Sequence, residues 1–315
     1  MSKKRIVVVA NKWWECDPVL SALLNNNARP VQALGWPQWL QTVRARPNQA
    51  HLPPENPAPA PRAIFALSHT DVELWCVSDL LEHTPDQGRY QSSSQQKALQ
   101  LPKIFQSRPA DLLISVGTAA FPDAGRTQNG NVTIGTRVFM HNGHPNGENP
   151  DSNWQSGPFD KLIDGGLDED SFRRITAFDS SMKPTIADRF LVPPLNPADG
   201  SLLCDASSVA LGTLNVTDPA EYDKADKATI AAYGQAANPA KAVSLETTHG
   251  LIRVQSEAPF LFVSGIVNRV GFFAQEVAPR SYSQNTAGAN NAGVALGWLL
   301  ARIDDYFSVV GQNRR

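Results

Sequence analysis

The sequence predicts an α/β layer fold with helices on both faces of a central sheet. Three observations point to it. Short apolar or β-branched runs such as Arg5-Ile-Val-Val-Val-Ala10 and Asp111-Leu-Leu-Ile-Ser-Val116 recur along the chain, and continuous runs of this kind suit strands covered on both faces. Segments with helical spacing separate them. No internal repeat and no inter-domain linker interrupts the alternation, so residues 1–315 read as one domain with inserted loops.

The elements follow in order. Residues 5–10 form a first strand. Residues 17–26 form a short helix, with Asp17 as cap, Pro18 in its first turn, and Val19, Leu20, Leu23 and Leu24 on one face. Residues 47–62, with Pro at 53, 54, 57, 59 and 61, form an extended surface loop. Residues 63–67 and 72–77 form a strand pair, and 93–108 have helical spacing despite Pro102. The strand at 111–116 runs into a turn at Gly117-Thr118-Ala119-Ala120. Residues 131–140 alternate as a strand, and 141–200 form a polar inserted loop region with a short extended piece at 185–192. Residues 208–216 are extended, and 219–233 are a helix capped by Asp218 ahead of Pro219. Residues 242–254 are either a strand running into a helix or all helix. Phe260 to Val267 form a buried strand, and a C-terminal helix spans 286–307.

Composition excludes several function classes. The 28 Lys and Arg nearly balance the 30 Asp and Glu, for a net charge of −2. Such a chain has no broad electrostatic footprint for nucleic acid or anionic lipid. Charged residues make up 18% and hydrophobic residues 42%, with 24 prolines. That composition suits a compact core with long irregular loops rather than a disordered chain. Cys16, Cys76 and Cys204 are scattered and odd in number, which favours reduced thiols over a disulfide framework or a zinc site. The apolar run after Lys3-Lys4-Arg5 stops at Asn11, short of a signal core, and no run is long enough to span a bilayer. The protein is expected to be soluble and cytoplasmic. His141 and His144 lie three apart, but no carboxylate on a regular element stands with them, so no metal site is expected.

Three strand ends carry the candidate chemistry, because ligands in open α/β sheets bind beyond the carboxyl ends of strands. At Ser115-Val-Gly-Thr-Ala119 the glycine allows close approach to the backbone, and the Thr118 hydroxyl can bind an oxyanion or a sugar hydroxyl. At Ser244-Leu-Glu-Thr-Thr-His249 a carboxylate, Glu246, lies between apolar flanks, where it must be paired or used. It serves either as a helix cap or as a ligand group. At Phe260 to Val267 the strand ends in Asn268-Arg269, a polar pair suited to a flat polar group or to a solvated loop. Neither nucleotide-binding glycine fingerprint is present, nor is a GxSxG nucleophile turn.

Together these three ends resemble the nucleoside phosphorylase superfamily, in the branch of purine and uridine phosphorylases and methylthioadenosine/S-adenosylhomocysteine nucleosidases. Asp111 to Ala120 looks like that family's Gly-Ser/Thr-Ala-Gly turn. Lys241 to His249 looks like its Met-Glu segment, with Leu245-Glu246 in place. Pro259 to Asn268 looks like its last strand, and the small-residue helix from Ala287 like its C-terminal helix. The resemblance implies a three-layer αβα sandwich with a mixed central sheet. It leaves the loops at 47–62 and 141–200 unexplained.

By the same resemblance Glu246 would hydrogen-bond ribose hydroxyls. Gly117, Thr118 and Ala119 would border the sugar and the phosphate or attacking water. Asn215 and Val216 would contact the base. Glu15 stands close to where the nucleosidase branch places the carboxylate that activates water. Two departures matter. Asn268 occupies the position of a proton-donating Asp, and Ser115 stands where hexameric phosphorylases hold phosphate with Arg. Arg44 or Arg46 could reach in from a neighbouring subunit. The family's base-stacking aromatic near position 215 is missing, and Phe272, Phe273 or Tyr282 could substitute. The expected activity is hydrolysis of a purine-like nucleoside, with Glu15, Glu246 and Asn268 as catalytic residues and Leu245 and Phe272 lining the pocket. The alternatives are phosphorolysis, with inorganic phosphate as co-substrate, and an inactive nucleoside-binding domain. The resemblance implies a homo-oligomer, most simply a dimer, and no cofactor.

Overall fold

The computed structural model describes residues 2–24, 32–34, 60–81, 94–106, 108–122, 127–143, 159–178, 182–188, 190–191, 202–214, 221–276 and 283–312. Several expectations lie outside these residues: most of the Pro-rich loop, the Asp218-Pro219 cap, and the sites at Arg44, Arg46, His144, Asn215, Val216 and Tyr282.

The first strand, β1 (Lys4–Ala10), has its apolar run wholly buried. Helix α1 (Trp13–Leu24) begins before the expected Asp17 cap. The reason is Glu15, whose Oε2 accepts the Lys12 N–H at 3.1 Å, as an acidic residue in a first turn does for the residue capping it. Pro18 is therefore inside the helix, and Asp17 instead pairs with the buried guanidinium of Arg62, which also holds Asp79 at 2.6 Å. Strands β2 (Gln32–Leu34), β3 (Ala63–Ala66) and β4 (Thr70–Cys76) form an antiparallel run. Of these three, β2 is absent from the sequence reading. Helix α2 (Ser94–Gln100) tightens into a 3₁₀ turn at Leu101–Ile104, where Pro102 cannot continue an α-helix.

Strand β5 (Leu112–Phe121) corrects the expected turn at Gly117 to Ala120. A parallel partner holds that stretch extended: β12 (Phe260–Arg269), paired from Phe260↔Leu113 to Arg269↔Phe121. The single strand expected at 131–140 is two, β6 (Val132–Gly135) and β7 (Arg137–His141). The chain changes neighbours at Thr136: β6 runs antiparallel to β12, and β7 runs parallel to β10 (Val209–Thr213). The 141–200 region contains regular elements, β8 (Leu162–Ile163), α3 (Glu169–Ile175) and α4 (Met182–Ala187). Asp168 caps α3 by accepting the Ser171 N–H at 2.8 Å. The expected extended piece at 185–192 is helical in its first part, because Ile186 buries in the same cluster as Leu299 and Leu300. Strand β9 (Leu202–Cys204) precedes β10.

Helix α5 (Tyr222–Ala236) has Glu221 at its cap position. Residues 242–254 resolve as strand into helix, β11 (Ala242–Glu246) and α6 (His249–Arg253). After β12 come α7 (Phe273–Glu276) and α8 (Ser283–Gln312), the latter longer than expected at both ends.

All twelve described strands join one mixed sheet, ordered β2-β3-β4-β1-β5-β11-β10-β7-β8, with β12, β6 and β9 branching from β5. Alternate residues of β1 face opposite sides. Ile6 and Val8 pack with Leu20 of α1 and Leu296 and Leu299 of α8, while Val7 and Val9 pack with Leu101, Val243 and Leu251. The sheet is thus the middle of three layers. No described helix is long and apolar enough to cross a membrane.

Candidate active site

The carboxyl-terminal ends of β1, β5, β11 and β12 converge on a cavity of about 510 Å³, within the range of small-molecule sites. One wall is the β1–α1 corner with β5: Asn11, Lys12, Trp14, Glu15, Thr118, Ala119 and Ala120. β12, paired with β5 through Asn268↔Ala120, adds Val267 and Asn268 to the lining, and α5 and α7 add Tyr222, Asp226 and Phe273. Leu245, Glu246 and Thr247 complete the lining from β11, where Leu245 pairs with Ala120 of β5.

Glu15 is only 3% exposed. Its Oε1 accepts both the Thr118 N–H and the Thr118 hydroxyl, each at 2.8 Å. Burial pushes its pKa up, with the Thr118 bonds and Lys12 pulling the other way and Glu246 adding to the rise. Gly117 does not line the cavity. A side chain there would begin 3.0 Å from the Glu15 Oε1, so the glycine gives that carboxylate its room.

Glu246 is a helix cap that also lines the cavity. It accepts the N–H groups of Thr248 and, at 2.6 Å, of His249, closing the first turn of α6, and it also faces the cavity. Burial raises it to about 7. The buried Lys97 of α2 lies in the field of Glu246, Glu15 and Lys12 and is lowered to about 8, mainly by burial.

Ser115 is buried away from the cavity. Its hydroxyl is bonded to His249 Nδ1 at 2.5 Å, and His249 Nε2 to the Ser264 hydroxyl at 2.9 Å. Burial drives His249 down to about 3, so this imidazole is neutral and structural.

Asn268 lines the cavity as expected, its Nδ2 donating to the Arg269 carbonyl at 3.0 Å. Phe272 does not. It is 39% exposed, with the Arg269 guanidinium 3.9 Å from its ring centre. The cavity aromatic is Phe273, stacked on Tyr222 with ring centres 4.7 Å apart and planes 26° from parallel. The Asp223 carboxylate accepts the Phe273 N–H at 2.5 Å and ties α7 to α5. Sequence reasoning missed Lys12, Trp14, Tyr222, Asp226, Asn285 and Lys97. Asp226, Tyr222 and Lys97 lie on helices rich in polar residues, where a charged or phenolic side chain reads as a solvated face. His141 is bonded to Asp160 at 2.7 Å, and no group of three metal-ligating side chains occurs among the described residues.

No family model matches the sequence, and no curated protein matches it. Solved structures do match over nearly its whole length. A 5′-methylthioadenosine/S-adenosylhomocysteine nucleosidase from S. pneumoniae, in complex with the transition-state inhibitor MT-ImmA, superposes with a TM-score of 0.52 at 12% identity, covering 95% of this chain and 99% of that one. The nucleosidase from Colwellia psychrerythraea, in complex with adenine, gives 0.52 at 11% identity, covering 96% of each chain. The Campylobacter jejuni nucleosidase gives 0.51 at 12% identity, covering 96% and 99%. The chain therefore has the fold of the 5′-methylthioadenosine/S-adenosylhomocysteine nucleosidases.

Proposed function

We propose that this protein hydrolyses the N-glycosidic bond of a purine-like nucleoside. The observation that carries the proposal is the placing of Glu15: a buried carboxylate held by the Thr118 N–H and hydroxyl, in one cavity with Glu246. Glycosidic cleavage develops positive charge on the sugar, which two fixed carboxylates stabilise without reorganising. Glu15 takes a proton from the attacking water. Glu246, held by two backbone N–H groups, keeps lone pairs for ribose hydroxyls. Thr118, Ala119 and Leu245 border the sugar. Asn268 hydrogen-bonds the base, which lies against Tyr222 and Phe273. The inhibitor and adenine complexes of two structural neighbours support a nucleoside-sized occupant.

Hydrolysis is favoured over phosphorolysis because the Thr118 donors an anion would use are committed to a carboxylate, and Ser115 to His249. A phosphate there would meet Glu15 at close range. The reaction needs no cofactor and is placed in the cytoplasm, in a homodimer.

The test is a nucleoside panel with and without inorganic phosphate, reading released base and sugar product. Base release independent of phosphate, reduced at least 10²-fold in Glu15→Gln, is expected. A sugar 1-phosphate product would make the protein a phosphorylase. Tight nucleoside binding by calorimetry with no release over hours would make it a binding domain. A single species at twice the chain mass by light scattering is expected for the dimer.

A further inference from the structure

Water activation is only half of the chemistry. A purine-like base leaves poorly as an anion and needs a proton as the bond breaks. The amide of Asn268 has no proton to give. The same cavity holds a carboxyl group that does. Asp226 lies on α5, one turn after Tyr222, and lines the cavity with Asn268, Tyr222 and Phe273. It is 4% exposed, and Glu15 lines the same cavity.

Its support is a chain of hydroxyls. Asp226 is hydrogen-bonded to the Thr213 hydroxyl at the end of β10. Thr213 Oγ1 is 2.8 Å from Thr229 Oγ1, which donates to the Ala225 carbonyl at 2.9 Å. Each hydroxyl has one proton. With the Thr229 proton on Ala225, Thr213 donates to Thr229 and must accept from Asp226, so the carboxyl group carries a proton. When Asp226 is ionised the chain reverses: Thr229 donates to Thr213 and Thr213 to the carboxylate, while the Ala225 carbonyl keeps its helical N–H partner. The pair satisfies both protonation states with no buried group left unpaired. Burial, with Asp223 nearby, raises the group to about 7, and the Thr213 bond opposes the rise. A half-turn about χ2, a soft two-fold torsion, aims the proton into the cavity.

We propose that Asp226 donates the proton that the departing base nitrogen takes up, the task Asn268 cannot perform. The proposal rests on the hydrolytic reading above. In the step, the C–N bond breaks and its electron pair goes to the base nitrogen, which receives the Asp226 proton. Water adds to the sugar carbon and its proton passes to Glu15. Exchange with solvent returns the proton from Glu15 to Asp226.

The test compares leaving groups in the full-length protein. Adenosine and 5′-methylthioadenosine need a proton on departure, whereas 4-nitrophenyl β-D-riboside releases a stable anion. Asp226→Asn is expected to lower base release by about 10²–10⁴-fold while nitrophenol release stays within fivefold of wild type. Any other pattern overturns the proposal, including equal loss on both substrates, which would mark a structural role. Wild type that releases base alongside an unimpaired Asp226→Asn variant overturns the role of Asp226 alone. Wild type that releases no base from any nucleoside overturns the hydrolytic reading and this inference with it.

Discussion

Glu15 and Glu246 each satisfy backbone donors at a helix start and face the cavity with what remains of their lone pairs. Fixing a carboxylate by backbone N–H groups removes its rotamer freedom before any substrate arrives, which is the preorganisation electrostatic catalysis requires. Removing such a residue therefore acts on stability and function together. Glu246→Ala is expected to lower kcat/KM for base release at least 10²-fold and to destabilise the fold by about 1–2 kcal/mol through the lost cap, read by kinetics and urea unfolding. Full activity with unchanged nucleoside affinity would remove Glu246 from the site. Both carboxylates were legible in the sequence, because each stands beside an apolar strand where a charge needs a purpose. Asp226 and Lys97 were not. Nothing in the polar segments around them distinguishes a buried charge from a solvated one.

Helix α8 shows how whole elements place the site. It meets β12 and α1 with almost no side chain between. A Cβ on Gly265 would lie 2.0 Å from the Gly288 carbonyl oxygen, and one on Gly288 would lie 2.2 Å from Val267 Cγ1. A Cβ on Gly293 would lie 2.7 Å from the Cα of Val19 in α1. Gly265→Ala must push α8 off β12, and it should destabilise by about 1–3 kcal/mol, the usual overpacking penalty, in chemical denaturation. Since Val267 and Asn268 follow on the same strand and line the cavity, nucleoside affinity should weaken as well. Unchanged stability would mean that the helix accommodates the methyl group. The small-residue character of α8 is plain in the sequence, and so is its helical nature. Its targets are not, because Gly265 and Val19 are distant in the chain.

For the molecule as a whole, the buried titratable groups set how stability depends on pH. Asp226 rises from 3.8 to about 7 and Glu246 from 4.5 to about 7 on folding. The folded protein therefore keeps these protons over a pH range in which the unfolded chain releases them. Stability they contribute below their unfolded pKa values is lost as pH rises toward 7, on the order of a few kcal/mol between them. His249 works oppositely. Lowered from 6.5 to about 3, it contributes full stability above 6.5 and loses it as pH falls. Between pH 5.5 and 7.5 the one imidazole opposes two carboxyl groups, and its opposition fades above 6.5, so the carboxyl groups dominate. The melting temperature should thus fall from pH 5.5 to 7.5, and Asp226→Asn should flatten the fall. A melting temperature that rises over this interval would contradict the raised pKa values of both groups.

The sequence by itself determined the alternation of strands and helices, the polar residues at three strand ends, and the glycine-rich helix, because these are written in residue patterns a few positions long. Tertiary structure decided the rest. β5 runs straight through Gly117 because β12 pairs with it, and residues 131–140 divide because their two halves pair with different strands. Glu15 reaches Thr118 across a separation of 103 residues, and Asp226 is a cavity wall only because α5 lies beside β10 and α7. Pairing partners and burial depend on what a segment meets, and the strands and helices that meet here are far apart in the chain.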